Sequence, residues 1–290
     1  MIDPNNFYDL IIVGGGVVGL AILRAASIQG YNCVLVEANA DLLSSASGSN
    51  SGIACTGVDA SPGTLERALI RDSISQLRPY LKEHNIPNRP CGSLVCLWPW
   101  DEANNNLSVV LAESHDAGDS NAQLLTADQV KTYEPNIASS CKGACHIPGE
   151  IVVDPWLYSV SLAVHARENG GTIITNFEVD PDSALFQNGI WTIFKKGGTA
   201  ESVKGKAIVN AAGIWADVFQ EKVFGNSKWN AKPRRGQYRI YDMCDNTFIT
   251  HPIQPIPSQF TKGIFIFSTI YVSNITSFIC YCRSKKIYIF

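Results

Sequence analysis

The sequence predicts an α/β fold in which alternating strands and helices are interrupted by a region of different character. Three observations carry this. Residues 8–37 read as strand, glycine turn, helix and strand, the size of one βαβ unit. A Ser/Gly-dense loop follows directly, and a second apolar run ending in small residues returns at 207–215. The 290 residues are 46% hydrophobic and 17% charged, which supplies enough apolar surface for a sizeable core.

Each element has a local reason. Tyr8-Asp-Leu-Ile-Ile-Val13 is a short apolar, β-branched run of the kind found in buried parallel strands. Leu20–Ile28 reads as a helix, with Gly30 placed just past its end, where a left-handed residue is favoured. Cys33-Val-Leu-Val-Glu37 is the second strand. Further on, Pro155–Asn169 reads as a helix with Asp154 as N-cap and proline in the first position. Gly170–Thr175 gives a turn and a strand, 190–194 and 202–205 a small hairpin pair, and Ala207-Ile-Val-Asn-Ala-Ala-Gly-Ile-Trp215 a strand ending in a turn.

The glycines at 14, 16 and 19 fit G-x-G-x-x-G, and each has its own task. Gly14 permits the tight turn out of the strand. Gly16 lets the backbone approach a pyrophosphate. Gly19 lets the helix pack closely on the strand. The helix N-terminus then presents N–H groups and the positive end of its dipole to phosphates. Glu37, at the end of the second strand, is placed to accept hydrogen bonds from ribose hydroxyls. The motif alone does not separate NAD from FAD. The loop Leu43-Ser-Ser-Ala-Ser-Gly-Ser-Asn-Ser-Gly-Ile53 favours a flavin, because its hydroxyls and amides can wrap the far end of a long cofactor.

Composition excludes several classes. The net charge of −3 argues against a broad nucleic-acid surface. Nine unevenly spread cysteines in a chain of this length argue against a secreted disulfide framework, so they are read as reduced, intracellular thiols. The start, Met-Ile-Asp-Pro-Asn-Asn, has no positive n-region, apolar h-region or arginine, so neither a secretory signal nor a transit peptide is expected there. Cys141-Lys-Gly-Ala-Cys-His146 has three residues between its cysteines where haem attachment needs two, and no metal is expected. Cys91 and Cys96 are read as strand-core residues.

Together these residues resemble a family. Strand–GGGVVG–helix, Glu37, the 47–52 loop and Val209-Asn-Ala-Ala-Gly213 are similar to the FAD-dependent oxidoreductases of the D-amino-acid-oxidase class. Asn50-Ser-Gly-Ile53, Pro62-Gly-Thr-Leu65, Cys91-Gly-Ser-Leu-Val95, Glu134-Pro-Asn136, Gly149-Glu-Ile-Val-Val-Asp-Pro155 and Pro233-Arg-Arg-Gly-Gln-Tyr238 extend the likeness. Within the class the resemblance points to the FAD subunit of anaerobic-type glycerol-3-phosphate dehydrogenase and to L-2-hydroxyglutarate dehydrogenase. It implies a Rossmann-like FAD-binding domain, 1–82 and 147–231, interleaved with an α+β substrate domain, 83–146 and 232–270, on a mostly antiparallel sheet.

The resemblance also implies roles. Gly14, Gly16 and Gly19 hold the pyrophosphate, and Glu37 the adenosine ribose. Ser47, Asn50, Ser51 and Gly52 face the pyrophosphate, ribityl chain or flavin ring. Val179 makes the backbone contact to adenine, and Ala211, Ala212 and Gly213 form a second cofactor turn. Catalysis is not assigned. Relatives read His-Ala-Gly where this chain has Cys55-Thr-Gly57, and a thiol is a poorer base at neutral pH. Cys55 is therefore a candidate, with Arg234 and Arg235 as guanidinium clamps for a substrate phosphate or carboxylate. The implied reaction moves a hydride from a CH–OH carbon of glycerol 3-phosphate or an L-2-hydroxy acid to FAD, with an unknown electron acceptor. An amine or amino-acid oxidase of the same class, or an inactive dinucleotide-binding protein, stands as the alternative.

The likeness stops after Ile270. Residues 271–290 are heavy in Ile, Phe, Tyr, Ser and Lys, which reads as an aberrant tail on a truncated chain with an incomplete substrate domain. The competing reading is an anchor, because Gly263–Cys282 carries no charge and Arg283-Ser-Lys-Lys286 follows it. The compartment is cytoplasmic by default and mitochondrial by resemblance only.

Overall fold

The structure, a computed structural model, describes residues 6–101, 106–198, 201–225, 228–233, 236, 238, 249–256 and 264–270. Arg234, Arg235 and the tail 271–290 lie outside the described residues.

The chain opens with β1 (Phe7–Val13), α1 (Val17–Ile28) and β2 (Cys33–Val36). A middle segment carries β3 (Ile53–Ala54), α2 (Leu65–Glu83), β4 (Asn88–Arg89), β5 (Ser93–Leu97), α3 (Leu107–Asp116), β6 (Gln123–Thr126), α4 (Ala127–Tyr133), β7 (Gly143–Ile147) and β8 (Ile151–Val153). Then come α5 (Pro155–Glu168), β9 (Thr172–Ile174), β10 (Val179–Gln187), β11 (Ile190–Lys195) and β12 (Ser202–Asn210). A 3-10 turn over Gly213–Trp215, α6 (Ala216–Phe224) and β13 (Ile253–Pro255) follow.

Contacts divide the chain into two compact units. The first joins the residues up to Asn50 with Pro155–Pro233; the second joins Ser51–Asp154 with the described residues beyond 235. The crossings therefore fall at 50/51 and 154/155, where the sequence predicted 82/83 and 146/147. The reason is pairing. β3 and β4 both ladder antiparallel onto β8, so the chain leaving the first unit is zipped to the chain returning to it. Arg67 of α2 is bonded to Glu113 of α3, which holds that helix in the second unit.

The first unit is a six-stranded sheet in the order β10-β11-β12-β1-β2-β9. β12, β1, β2 and β9 are parallel, and β10 and β11 add antiparallel at one edge. Tyr8, Ile11, Val13, Val34, Val36, Ile193 and Val203 pack with Phe177 and Phe219 in one buried cluster. Ile12 lies close to Gly19, where α1 meets β1. Helix α1 ends as predicted, with Gln29 as C-cap and Gly30 in the left-handed region.

The second unit holds a four-stranded sheet, β13-β5-β7-β6, and the small sheet β3-β8-β4. Only the β13–β5 pair is parallel. Its sheet is covered on both faces. Leu94, Cys96, Leu125 and Ala144 pack with Val130 of α4, while Val95, Cys145 and Ile147 pack with Val110 of α3. Helix α4 starts with a reciprocal capping box between Thr126 and Gln129. Cys96 is a buried residue of β5, but Cys91 sits half-buried before that strand, a correction to its reading as strand core. No helix among the described residues is long and apolar enough to cross a membrane.

Candidate cofactor site

The glycine turn sits where β1 changes partners. From β1 the chain reaches β2 on one side through α1, and β12 flanks it on the other. Such a switch point, at the carboxyl ends of parallel strands, is where open α/β sheets bind ligands.

Sterics explain two of the three predicted glycines, Gly14 and Gly19. Gly14 has φ +115°, and a Cβ there would strike the backbone carbonyl of Ala211. The Gly14 N–H donates to the Val36 carbonyl at 2.9 Å, and the Ala211 N–H to the Val13 carbonyl at 2.9 Å. The first turn and the 211–213 turn are thereby held edge to edge. A Cβ on Gly19 would collide with the Gly14 carbonyl oxygen, so only glycine lets α1 start this close to β1. Gly16 is the N-cap of α1, extended at φ −81° and ψ 175°, with no side chain of its own to cap the helix.

The cap comes from far along the chain. Ser47 Oγ accepts the Val17 N–H at 3.0 Å, across thirty residues of sequence. The first turn of α1 carries no acidic side chain, so the positive end of the helix dipole is left uncancelled there. Asn50 folds its amide back onto its own turn, donating to the carbonyls of Ala46 and Ser47 at 3.1 and 2.9 Å.

Glu37 follows β2 directly. Its Oε2 accepts the Gly15 N–H at 2.7 Å, and Oε1 accepts the backbone and side-chain N–H of Asn39 at 2.9 and 2.8 Å. These bonds fix the carboxylate against the glycine turn and leave Oε2 a lone pair for a hydroxyl. Gly15 and Asn39 were missed by the sequence reading. The run of three glycines, where the motif asks for two, is the trace Gly15 leaves in the sequence. Beyond β9, Phe177 N–H bonds to the Glu37 carbonyl at 2.8 Å, and Val179 begins β10 opposite Lys195.

The 211–213 turn is pinned by Asn210. Its Nδ2 donates to the Ala216 carbonyl at 2.7 Å, its Oδ1 accepts the Ala212 N–H at 3.3 Å, and Gly213 takes φ +58°. The first unit therefore contains Gly14, Gly16, Gly19, Glu37, Ser47, Asn50, Val179, Ala211, Ala212 and Gly213. Ser51 and Gly52 belong to the second unit, where the Gly52 carbonyl accepts the Val153 N–H at 2.7 Å. Cys55 is in the second unit too, half-buried, its thiol 3.7 Å from the Ile53 carbonyl oxygen. No group of three or more His, Cys, Asp or Glu among the described residues is placed to hold a metal ion.

A parallel sheet with a glycine cradle at its switch point, an uncancelled helix end and a carboxylate one strand away defines a dinucleotide-binding α/β protein. These features fit FAD: the α1 N-terminus carries no acidic side chain, and Glu37 Oε2 has acceptor capacity beyond the Gly15 N–H. The sequence profile of the DAO family, described as FAD dependent oxidoreductase, matches residues 9–276, and the chain belongs to that family.

Its relatives narrow the class. It is 30% identical over 265 residues to a glycerol 3-phosphate dehydrogenase from Caloramator mitchellensis, covering 91% of this chain and 54% of that protein. It is 27% identical over 272 residues to a mitochondrial L-2-hydroxyglutarate dehydrogenase from Nematostella vectensis, covering 88% and 58%. The chain thus spans little more than half the length of these relatives. Among solved structures it superposes on the FAD-bound, dithionite-reduced L-alpha-glycerophosphate oxidase of Mycoplasma pneumoniae with a TM-score of 0.83 at 24% identity, over 94% of this chain and 71% of that one. A glycine oxidase from Geobacillus kaustophilus gives 0.76 at 20% identity, over 96% and 72%, a likeness of fold.

Proposed function

We propose that this chain is the FAD-binding part, with some of the substrate-binding part, of an oxidoreductase acting on a CH–OH carbon of a small anionic substrate. The substrate is glycerol 3-phosphate or an L-2-hydroxy acid. The observation that carries this reading is that relatives named for those two substrates match about nine-tenths of the chain. FAD, when bound, supplies the two-electron acceptor for the hydride.

The chain's own residues bind and orient. Gly16 and the α1 N-terminus take the pyrophosphate, and Glu37 accepts from the ribose. Ser47 holds the first turn of α1 in place. Val179 and the 211–213 turn line the adenine and flavin ends. Arg234 and Arg235 supply fixed positive charge for a phosphate or carboxylate. Cys55 stands where relatives carry a histidine, so an acid–base step at that position depends on a thiol.

The test is an absorption spectrum of the purified chain with added FAD, followed by anaerobic titration with glycerol 3-phosphate, L-2-hydroxyglutarate and glycine in separate samples. Flavin bands near one per chain, bleached by either of the first two, support the reading. Bleaching by glycine alone moves the chain to the amine oxidases. Bound flavin that nothing bleaches makes it a binding protein, and a colourless chain overturns the cradle.

A further inference from the structure

We propose that Leu43 is a positioning residue for the cofactor cradle: a strained backbone, plugged in place by its own side chain, that shapes the 43–50 loop and so carries Ser47 to the first turn of α1. What the loop serves rests on the FAD reading above; how the loop is held rests on the fold alone.

Among the described residues, four other than glycine have positive φ. Three are asparagines, Asn85, Asn176 and Asn188, at +52°, +54° and +53°. Asparagine visits this region readily, because its short polar side chain can bond locally. The fourth is Leu43, at +61°. A left-handed leucine crowds its Cβ against the following carbonyl, which disfavours it by roughly tenfold. Such a conformation persists only where the surroundings over-determine it.

Three contacts do so. Leu43 is the only buried residue between Glu37 and Asn50, so its side chain plugs a loop that is otherwise at least partly open to water. Its N–H donates to the Gly15 carbonyl at 3.2 Å, while the Gly15 N–H goes to Glu37 Oε2 at 2.7 Å. The middle glycine of the turn is thus gripped on both sides. The Leu43 carbonyl lies over Gly48, where any Cβ would strike it.

The shape of the loop follows from this entry. The Gly48 N–H bonds to the Ser45 carbonyl at 3.2 Å and the Ser49 N–H to the Ala46 carbonyl at 3.3 Å. These turns aim Ser47 Oγ at the Val17 N–H, 3.0 Å away. Rotating φ of residue 43 to an ordinary negative value redirects the chain after it, and Ser47 leaves the helix. Leu43 acts through Ser47 and Gly15.

The test compares Leu43→Ala, Leu43→Gly and Gly48→Ala in the full 290-residue chain. Hydrogen exchange at the Val17 amide is read without FAD, against Ile11 and Ile12 of β1 as the measure of global opening, and FAD affinity is read by fluorescence titration. Leu43→Ala removes the plug and keeps the unfavourable backbone; Leu43→Gly removes both. We expect Val17 exchange to quicken by about tenfold or more in Leu43→Ala and by several-fold less in Leu43→Gly, with Ile11 and Ile12 changing less than Val17. That reverses the order found where φ is negative, in which alanine is the better tolerated. Gly48→Ala, which leaves Leu43 itself intact, should match Leu43→Ala, and FAD affinity should weaken in the order of the exchange rates. Equal exchange in the alanine and glycine variants of residue 43 overturns the strained latch, and so does a Val17 amide that none of the three moves. Exchange that rises as expected while FAD affinity stays fixed overturns the positioning role. A parent chain that takes up no flavin fails the FAD reading instead, and the exchange order alone then upholds or overturns the latch.

Discussion

The two units differ in where they keep their polar groups. Of the thirteen buried polar or charged residues among those described, three (Ser27, Ser159 and Asp217) belong to the unit with the glycine turn. The other ten, including Arg67, Asp119, Glu134, His146 and Glu150, belong to the second unit. The recognition proposed for the glycine-turn unit rests, apart from the Glu37 carboxylate, on backbone: missing Cβ atoms, helix N–H groups and carbonyls held edge to edge. The second unit works with side chains taken out of water, each needing a partner or a changed protonation state. Chemistry written in backbone is carried by glycines at fixed spacing, and chemistry written in buried side chains is carried by contacts between distant segments.

The largest effect expected from this contrast is at Gly14. In Gly14→Val, a β-branched residue must hold φ near +115° while its Cβ overlaps the Ala211 carbonyl. We expect a loss on the order of 5 kcal/mol in urea unfolding, with bound flavin absorbance abolished. A Gly14→Val chain that retains flavin would break the claim that this unit recognises through backbone.

Next comes Glu134. Its buried carboxylate accepts the backbone N–H groups of Thr250 and His251, the Thr250 hydroxyl and His251 Nδ1. That single side chain ties the start of β13 to the end of α4. Glu134→Ala takes the shared acceptor away from those donors and empties the fully buried carboxylate site, and we expect a loss of about 4 kcal/mol in the same assay. The first unit has no buried carboxylate gathering as many donors among its described residues: Asp217 accepts the N–H groups of Val218 and Ala231. Asp217→Ala is expected to cost about half as much.

The legibility of the sequence follows the same division. The first strand, helix and second strand were readable because local sterics dictate them, and the roles of Gly14 and Gly19 follow from single backbone clashes. Strand β12 was read as two pieces, 202–205 and 207–215, with Gly205 at the end of the first. It is interior: a Cβ there would lie 3.0 Å from the Tyr8 carbonyl oxygen and 2.8 Å from the Ile11 side chain, so Gly205 is what lets β12 reach β1. β10 was missed because Val-Asp-Pro-Asp is poor strand sequence. It occupies the sheet edge and breaks register between Asp180 and Leu185, where proline is tolerated. The crossings at 50/51 and 154/155 were not readable, since β3 and β8 pair across about a hundred residues. In the candidate site, Glu37 was put forward on its spacing from the glycines, but the capping contact of Ser47 exists only once the loop has folded.

Glu150 sharpens the contrast through pH. Burial pushes its carboxyl up to about 7, helped by the carboxylates of Asp59 and Asp119, while the Ser93 hydroxyl and Thr56 N–H pull the other way. An unfolded glutamate titrates near 4.3. Between the two values the folded chain binds the proton and the unfolded chain does not, so stability falls as pH rises from about 4.5 to about 7 and levels off above that. The slope integrates to on the order of 3 kcal/mol. In Glu150→Gln this component should vanish, leaving the variant less pH-dependent than the parent across that window. Urea midpoints at about pH 5 and about pH 8 decide it: an unchanged difference between them would mean the carboxyl is ionised and stabilised in the fold.

The smallest expected effect tests the other unit at the side chain that caps its first helix. Ser47→Ala removes the acceptor for the Val17 N–H and nothing else from the first turn of α1. Loss of a helix cap costs about 1 kcal/mol, so Tm should drop by a few degrees. Flavin affinity should fall by more than stability does, because the freed N-terminal turn is the one proposed to take the pyrophosphate. If FAD binding is unchanged while stability drops, Ser47 caps a helix and takes no part in recognition. The glycine-turn unit would then bind its cofactor through backbone and Glu37 alone, and the division between the two units would be sharper than the predicted site implied.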